Sequence, residues 1–155
     1  MPPRLRPMTG PEVATFVGGQ LEPYIAERIA AGESPDEARR IGEAQMAGHF
    51  PDATPAPGQL LYRVLDDGGT AVGDLWIGPR SAERTDAFWV WDVVIDEAQR
   101  GRGLGRAAML LAEEAARAQG ATELGLNVFG TNAVARRLYE SIGYEPTAIT
   151  MRKSL

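Results

Sequence analysis

The stretch from Val93 to Arg106, VVIDEAQRGRGLGR, constrains the fold more than any other part of this chain. It begins as an apolar run suited to a strand and ends in residues that open a helix. Between them Gly101, Gly103 and Gly105 alternate with Arg102 and Leu104. Glycine has no Cβ, tolerates positive φ and lets a ligand come close to backbone N–H groups. The helix beyond adds its own unpaired N–H groups and the positive end of its dipole. Strand, glycine loop and helix in this order make a cradle for phosphate groups. Arg100, Arg102 and Arg106 set positive charge around it. The expected ligand is a pyrophosphate.

The rest of the chain supplies elements to build on. Leu5 to Met8 reads as a short strand, and Thr9-Gly10-Pro11-Glu12 as a capping box. The helix after it carries Val13, Phe16, Val17, Leu21, Tyr24, Ile25 and Ile29 near helical spacing. Gly18-Gly19 and Pro23 predict a break in it. Ser34-Pro35-Asp36-Glu37 starts a further helix, which a proline-rich run from Pro51 to Pro57 ends. Gln59 to Leu65 and Thr70 to Ile77 flank Asp66-Asp67-Gly68-Gly69 as a β-hairpin. Asp86 to Ile95 is a strand rich in aromatic and β-branched residues. Leu104 to Gln119 is a helix with Leu104, Ala107, Ala108, Leu111, Ala115 and Ala118 inward. Glu123 to Phe129 is a strand, Thr131 to Ile142 a helix and Tyr144 to Arg152 a last strand. The unit from Phe88 to Val128 requires a parallel pair with a right-handed crossover, whereas the hairpin is antiparallel. The expected fold is α/β (α+β), a mixed central sheet with helices on both faces. Residues 1–155 form one expected domain.

Composition narrows the chemistry. There is no cysteine, which removes disulfides, thiolate metal sites and acyl-cysteine intermediates. His49 is the only histidine, and neither G-x-S-x-G nor H-E-x-x-H surrounds it, so it reads as a helix-end residue and no metal is expected. A net charge of −5 argues against general nucleic-acid binding. Met1 to Gly10 has no apolar leader core, and no segment is long enough to span a bilayer. The expectation is a soluble, cytoplasmic protein.

Two familiar phosphate motifs fit poorly. Gly103-Leu104-Gly105-Arg106-Ala107-Ala108 matches G-x-G-x-x-A literally. That fingerprint needs its glycines directly after the strand and an acid at the end of the next one. Here residues 96–102 intervene, and the next strand ends Asn127-Val128. A P-loop needs Gly-Lys-Ser/Thr, which is absent. The sequence instead resembles the GNAT superfamily of N-acetyltransferases. Arg100-Gly101-Arg102-Gly103-Leu104-Gly105 fits that family's Arg/Gln-x-x-Gly-x-Gly/Ala signature in full. A second segment matches as well: Leu126-Asn127-Val128, then Asn132, Ala135, Leu138-Tyr139-Glu140 and Ile142-Gly143-Tyr144. Ala71-Val72-Gly73 in the hairpin and Ile149 to Lys153 at the end are also similar. The resemblance is specific over about residues 60–153 and only topological over residues 9–58.

The resemblance implies a mostly antiparallel sheet with one splayed parallel pair, and acetyl-CoA as co-substrate. By position, Val93, Val94, Ile95, Arg100, Gly101, Arg102, Gly103, Leu104, Gly105 and Arg106 would line it, joined by Asn132 and Ala135. Tyr139 would protonate the departing thiolate. A phenol titrating near ~10 can donate to a thiolate whose acid titrates near ~8.5. Asn132, Ala135 and Tyr139 fall at i, i+3 and i+7, on one helix face. The residues alone also allow Asn132 as an N-cap and Tyr139 as a core aromatic.

The implied chemistry is attack by a neutral primary amine on the thioester, in a ternary complex. Holding an amine with pKa near ~10.4 neutral at pH 7 costs about 4.6 kcal/mol, while positioning contributes roughly 7–11 kcal/mol. A base is therefore helpful and not compulsory. Asp92, the only acid in the interior of the strand Asp86 to Ile95, is the candidate; a structural carboxylate is an equal reading. Strict alternation puts Asp92 on the face of Val90 and Val94, opposite Trp89, Trp91 and Val93, unless a bulge intervenes. The N–H of Val93 or Val94 is the expected oxyanion donor. The acceptor, a small amine or a peptide, is expected between the N-terminal helices and the mouth of the splayed strands. No nucleic-acid or membrane partner is expected; a homodimer stays open, as does a non-catalytic acyl-CoA-binding module.

Overall fold

Both helix starts read from the sequence are present as hydrogen bonds in the computed structural model, which describes residues 2–155. Strand β1 (Arg4–Pro7) leads into helix α1 (Gly10–Gly18) through a capping box. The Thr9 N–H donates to Glu12 Oε2 at 2.8 Å, and the Glu12 N–H donates to Thr9 Oγ1 at 3.4 Å. Arg6 pairs with the same Glu12 at 2.8 Å and ties strand to helix. The predicted break is a full one. Gly19 caps α1, and α2 (Leu21–Ala30) begins again without a side-chain cap. Ser34 Oγ accepts from the Glu37 N–H at 3.3 Å and opens α3 (Pro35–His49).

The sheet runs in the order β1-β2-β3-β4-β5. Strands β2 (Leu60–Leu65), β3 (Ala71–Pro79) and β4 (Ala87–Ile95) continue antiparallel from β1. Helix α4 (Leu104–Ala118) then crosses over to β5 (Glu123–Leu126), which pairs parallel to β4, and α5 (Ala133–Ser141) follows. The mixed, mostly antiparallel sheet is thus as expected.

One face of the sheet packs on α4 through Val64, Val72, Leu75, Ile77, Phe88 and Val90. The buried stripe of α4 is Leu104, Ala108, Met109, Ala112 and Ala116. This is rotated from the expected stripe: Ala118 is exposed, and Ala107, Leu111 and Ala115 lie at its margin. Small side chains bring the helix close to the sheet, and Met109 fills the remaining gap. The opposite face holds a second cluster of Phe16, Phe50, Leu61 and Trp76 under α1 and the end of α3.

Two expectations are corrected at the end of the chain. Strand β5 stops at Leu126, not Phe129. Residues 144–155 form no strand at all. Pro146 removes a ladder donor there, and Ile149 and Met151 stay 69% and 86% exposed, so no burial holds the segment on the β5 edge.

Candidate active site

A bulge in β4 organises the site. Trp76 of β3 faces Asp92, but the next residue, Ile77, faces Val90, so Trp91 is the extra residue. The bulge flips the alternation assumed from the sequence. Val90 and Val93 point to the α4 side, with Phe88 and Ile95. Asp92 instead shares the other face with Trp76 and Trp91, not with Val90.

Beyond the bulge β4 loses a neighbour. The parallel ladder joins Ala87–Val90 to Glu123–Leu126 and goes no further. Among the described residues only β3 pairs with β4 from Trp91 to Ile95, so one edge of its backbone has no strand partner. Val93, Val94 and Ile95 occupy this stretch, and Val94 is 42% exposed.

The glycine loop follows at the end of that edge. Gly101 and Gly103 have φ of +78° and +75°, with no atom within 4 Å of where a Cβ would stand. Gly105 is ordinary helix, and a Cβ there would only touch Leu138. Helix α4 starts at Gly103 without a side-chain cap. Among the described residues, the backbone N–H groups from Gly101 to Arg106 make no hydrogen bond. An exposed row of donors at a helix N-terminus suits an anion. Arg100 holds its chain end by donating to the Ile95 carbonyl at 3.1 Å. Arg102 donates to Gln99, and Arg106 donates to Ser141 Oγ at 3.2 Å, linking α4 to α5.

On α5, Asn132 is the N-cap. Its Oδ1 accepts from the Ala135 N–H at 3.2 Å, which leaves its NH₂ unused. Tyr139 packs half-buried on the α4-side core, 6.1 Å from the Tyr144 ring. Burial raises its pKa and so does the charge of Asp92.

On the opposite face Asp92 lines a cavity of about 670 Å³. Its walls come from α2 (Tyr24, Glu27, Arg28), α3 (Gln45, Met46, His49) and β4, with Asn127 and Phe129 closing the side. Burial pushes the Asp92 carboxyl up to about 6; Gln20 and the Val93 N–H oppose the shift, and the charges of Glu27 and Asp74 add to it. His49 ends α3 as expected, but its ring lies 4.1 Å from Trp91 and 5.0 Å from Trp76. Burial lowers its pKa, favouring neutral imidazole. Sequence reasoning missed His49, Glu27 and Gln20 as cavity residues. Their spacing carries no motif, and only the fold brings α2 and α3 over β4.

The family signature now has its context. Residues 26–144 match the model of the Acetyltransferase (GNAT) family. The chain is 30% identical to YdgE and 28% identical to YycN, both uncharacterized N-acetyltransferases of Bacillus subtilis (strain 168); each alignment covers 97% of both chains. The crystal structure of YycN superposes with a TM-score of 0.86 over 99% of this chain and 98% of that one. The aminoglycoside acetyltransferase AAC(6')-Iy, in complex with a CoA bisubstrate analogue, shares the fold at a TM-score of 0.61 and 17% identity, with full coverage of both chains. The chain belongs to the GNAT acetyltransferase family and is an acyltransferase.

Proposed function

We propose that this chain transfers the acetyl group of acetyl-CoA to a primary amine by direct attack in a ternary complex. The observation that carries the reading is the run of unbonded N–H groups from Gly101 to Arg106, set at the end of a strand edge that has lost its partner. The pyrophosphate lies on the loop, where charge-assisted hydrogen bonds hold it. The pantetheine arm runs along Val93 to Ile95 and pairs with the free edge as an added strand does. The NH₂ of Asn132 and the small Ala135 border the arm. The thioester then sits at the bulge, between the cavity and Tyr139.

The amine enters from the cavity and attacks the carbonyl carbon. The Val93 or Val94 N–H stabilises the oxyanion. Asp92, directly or through water, takes the proton released from nitrogen. The carbon–sulfur bond breaks, and Tyr139 gives its phenolic proton to the thiolate. An Asp92 pKa of about 6 leaves the carboxylate mostly charged at pH 7 yet a better base than a solvated aspartate.

The test has two arms. Calorimetry with CoA reads the loop, and thiol release from acetyl-CoA with a panel of amines reads the chemistry. Saturable CoA uptake with amine-dependent thiol release is the expected result. Uptake without release for any amine would make the chain a binding module. No uptake would remove the whole assignment.

A further inference from the structure

The cavity beside Asp92 holds charge and aromatic surface that acetyl transfer does not itself require. All three tryptophans of the chain line it: Trp76, Trp89 and Trp91. The Trp91 ring stands 5.8 Å from that of Trp76 and 6.0 Å from that of Trp89, and His49 meets Trp76 edge-on and Trp91 at a tilt. Such rings favour methylene chains and cations. The charged groups divide unevenly. Arg28 is spent on Glu33 at 2.7 Å and on the Tyr24 hydroxyl at 2.7 Å. Arg80 also lines the cavity and lies over the Trp89 ring at 4.7 Å. Neither Asp92 nor Glu27 has a cation within ion-pair distance among the described residues. Asp92 lines the cavity from β4 and Glu27 lines it from α2.

We infer that the acceptor is a diamine-type cation, an aliphatic amine with a second ammonium group, whose reacting end meets Asp92 and whose far end is held by Glu27. Two carboxylates without a counter-charge, carried by different walls of one aromatic-lined cavity, match two positive charges joined by an apolar chain. A monoamine would leave one carboxylate without a counter-charge in a partly desolvated place. An amine bearing a carboxylate would put like charge against Glu27 and is selected against. Glu27 is on this account a specificity residue and takes no part in the bond changes. The inference rests on the acetyl-transfer reading for which end reacts, and its test does not depend on turnover.

Because every tryptophan lines the cavity, intrinsic fluorescence reports its occupancy directly. The probes are cadaverine, pentylamine and δ-aminovalerate, which share a chain length and differ in the far group. They are titrated into the full chain with CoA present at low salt. Cadaverine should quench with at least tenfold higher affinity than pentylamine, and δ-aminovalerate should bind weakest. In Glu27→Gln the advantage of cadaverine over pentylamine should vanish, with pentylamine binding unchanged. Glu22→Gln, on the same helix and paired outside the cavity with Arg39, should keep the wild-type order. Equal affinities, tightest binding of δ-aminovalerate, no saturable quenching, or a diamine advantage that survives Glu27→Gln would each overturn the inference. Diamine-selective quenching without thiol release would uphold the diamine site at Asp92 and Glu27 while removing the acetyl-transfer reading.

Discussion

The glycine loop and the proposed amine cavity are built in opposite ways. The loop is one contiguous stretch, and its working parts are backbone N–H groups, so side-chain identity enters mainly through what glycine permits. The cavity draws on α2, α3, β3, β4 and the chain after β5, and its working parts are side chains. A site made of consecutive backbone is specified by a short spelling. A site made of distant side chains is specified only by the whole fold. The phosphate-binding half of such an enzyme can therefore stay constant in wording while the acceptor half changes residue by residue without disturbing it.

The largest expected effect falls on the contiguous half. Gly103→Val puts a β-branched residue at φ +75°, a conformation that costs an L-residue about 1–2 kcal/mol, and sets its side chain where the proposed pyrophosphate would lie. We expect at least a 100-fold loss of CoA affinity by calorimetry, since several charge-assisted hydrogen bonds, worth about 1.5–3 kcal/mol each, are lost together. The thermal midpoint should fall by only a few degrees. Affinity within a few-fold of wild type would place the cofactor elsewhere. Tyr139→Phe comes next. We expect kcat to fall 10- to 100-fold with CoA affinity unchanged, as the loss of a general acid would give. Because burial and the Asp92 charge both hold the phenol's pKa up, wild-type activity should show no loss from phenol ionisation up to at least pH 9. Unchanged turnover in the variant would reduce Tyr139 to a packing residue.

Asp92→Asn probes the assembled half through stability as well as rate. The folded protein holds the Asp92 proton more tightly than the unfolded chain does, because burial raises the pKa to about 6. Its favourable contribution to stability is complete below the unfolded value near ~4 and is lost as pH rises through about 6. At pH 7.5 the charged carboxylate therefore costs on the order of 1–3 kcal/mol. The asparagine variant should melt higher than wild type at pH 7.5, and the gain should disappear below pH 4. Its kcat/KM should fall about tenfold at pH 7.5, and the acidic limb near pH 6 should be absent from its pH profile. A lower melting midpoint at pH 7.5 would mean that Asp92 is a structural carboxylate.

What could be read from the sequence follows the same division. The loop, the caps at Thr9 and Ser34, the hairpin and the crossover helix all depend on residues close together in the chain, and each appears where its signals lie. The side of β4 that Asp92 occupies depends on one extra residue, Trp91, and alternation cannot register an insertion that only a neighbouring strand reveals. The strand expected over residues 144–152 shows the converse. Its apolar residues suit a strand, but strand formation also needs a partner edge and burial, and a local pattern carries neither. His49 had no motif around it because its neighbours, Trp76 and Trp91, come from other elements.

Asn132 lies where the two kinds of site meet, and the smallest expected effect belongs there. Its Oδ1 already serves as the cap of α5, so a loss on mutation does not by itself reveal a cofactor contact. Asn132→Ala removes both functions and should cost about 1 kcal/mol of stability through the cap alone. Asn132→Ser separates them, because serine is a comparable cap but brings no NH₂ within the same reach. If the amide touches the pantetheine arm, the serine variant keeps wild-type stability and binds CoA a few-fold more weakly, the scale of one neutral hydrogen bond. If the serine variant matches wild type in both melting and calorimetry, Asn132 is a cap alone, and the proposed contact of its amide with the pantetheine arm is removed.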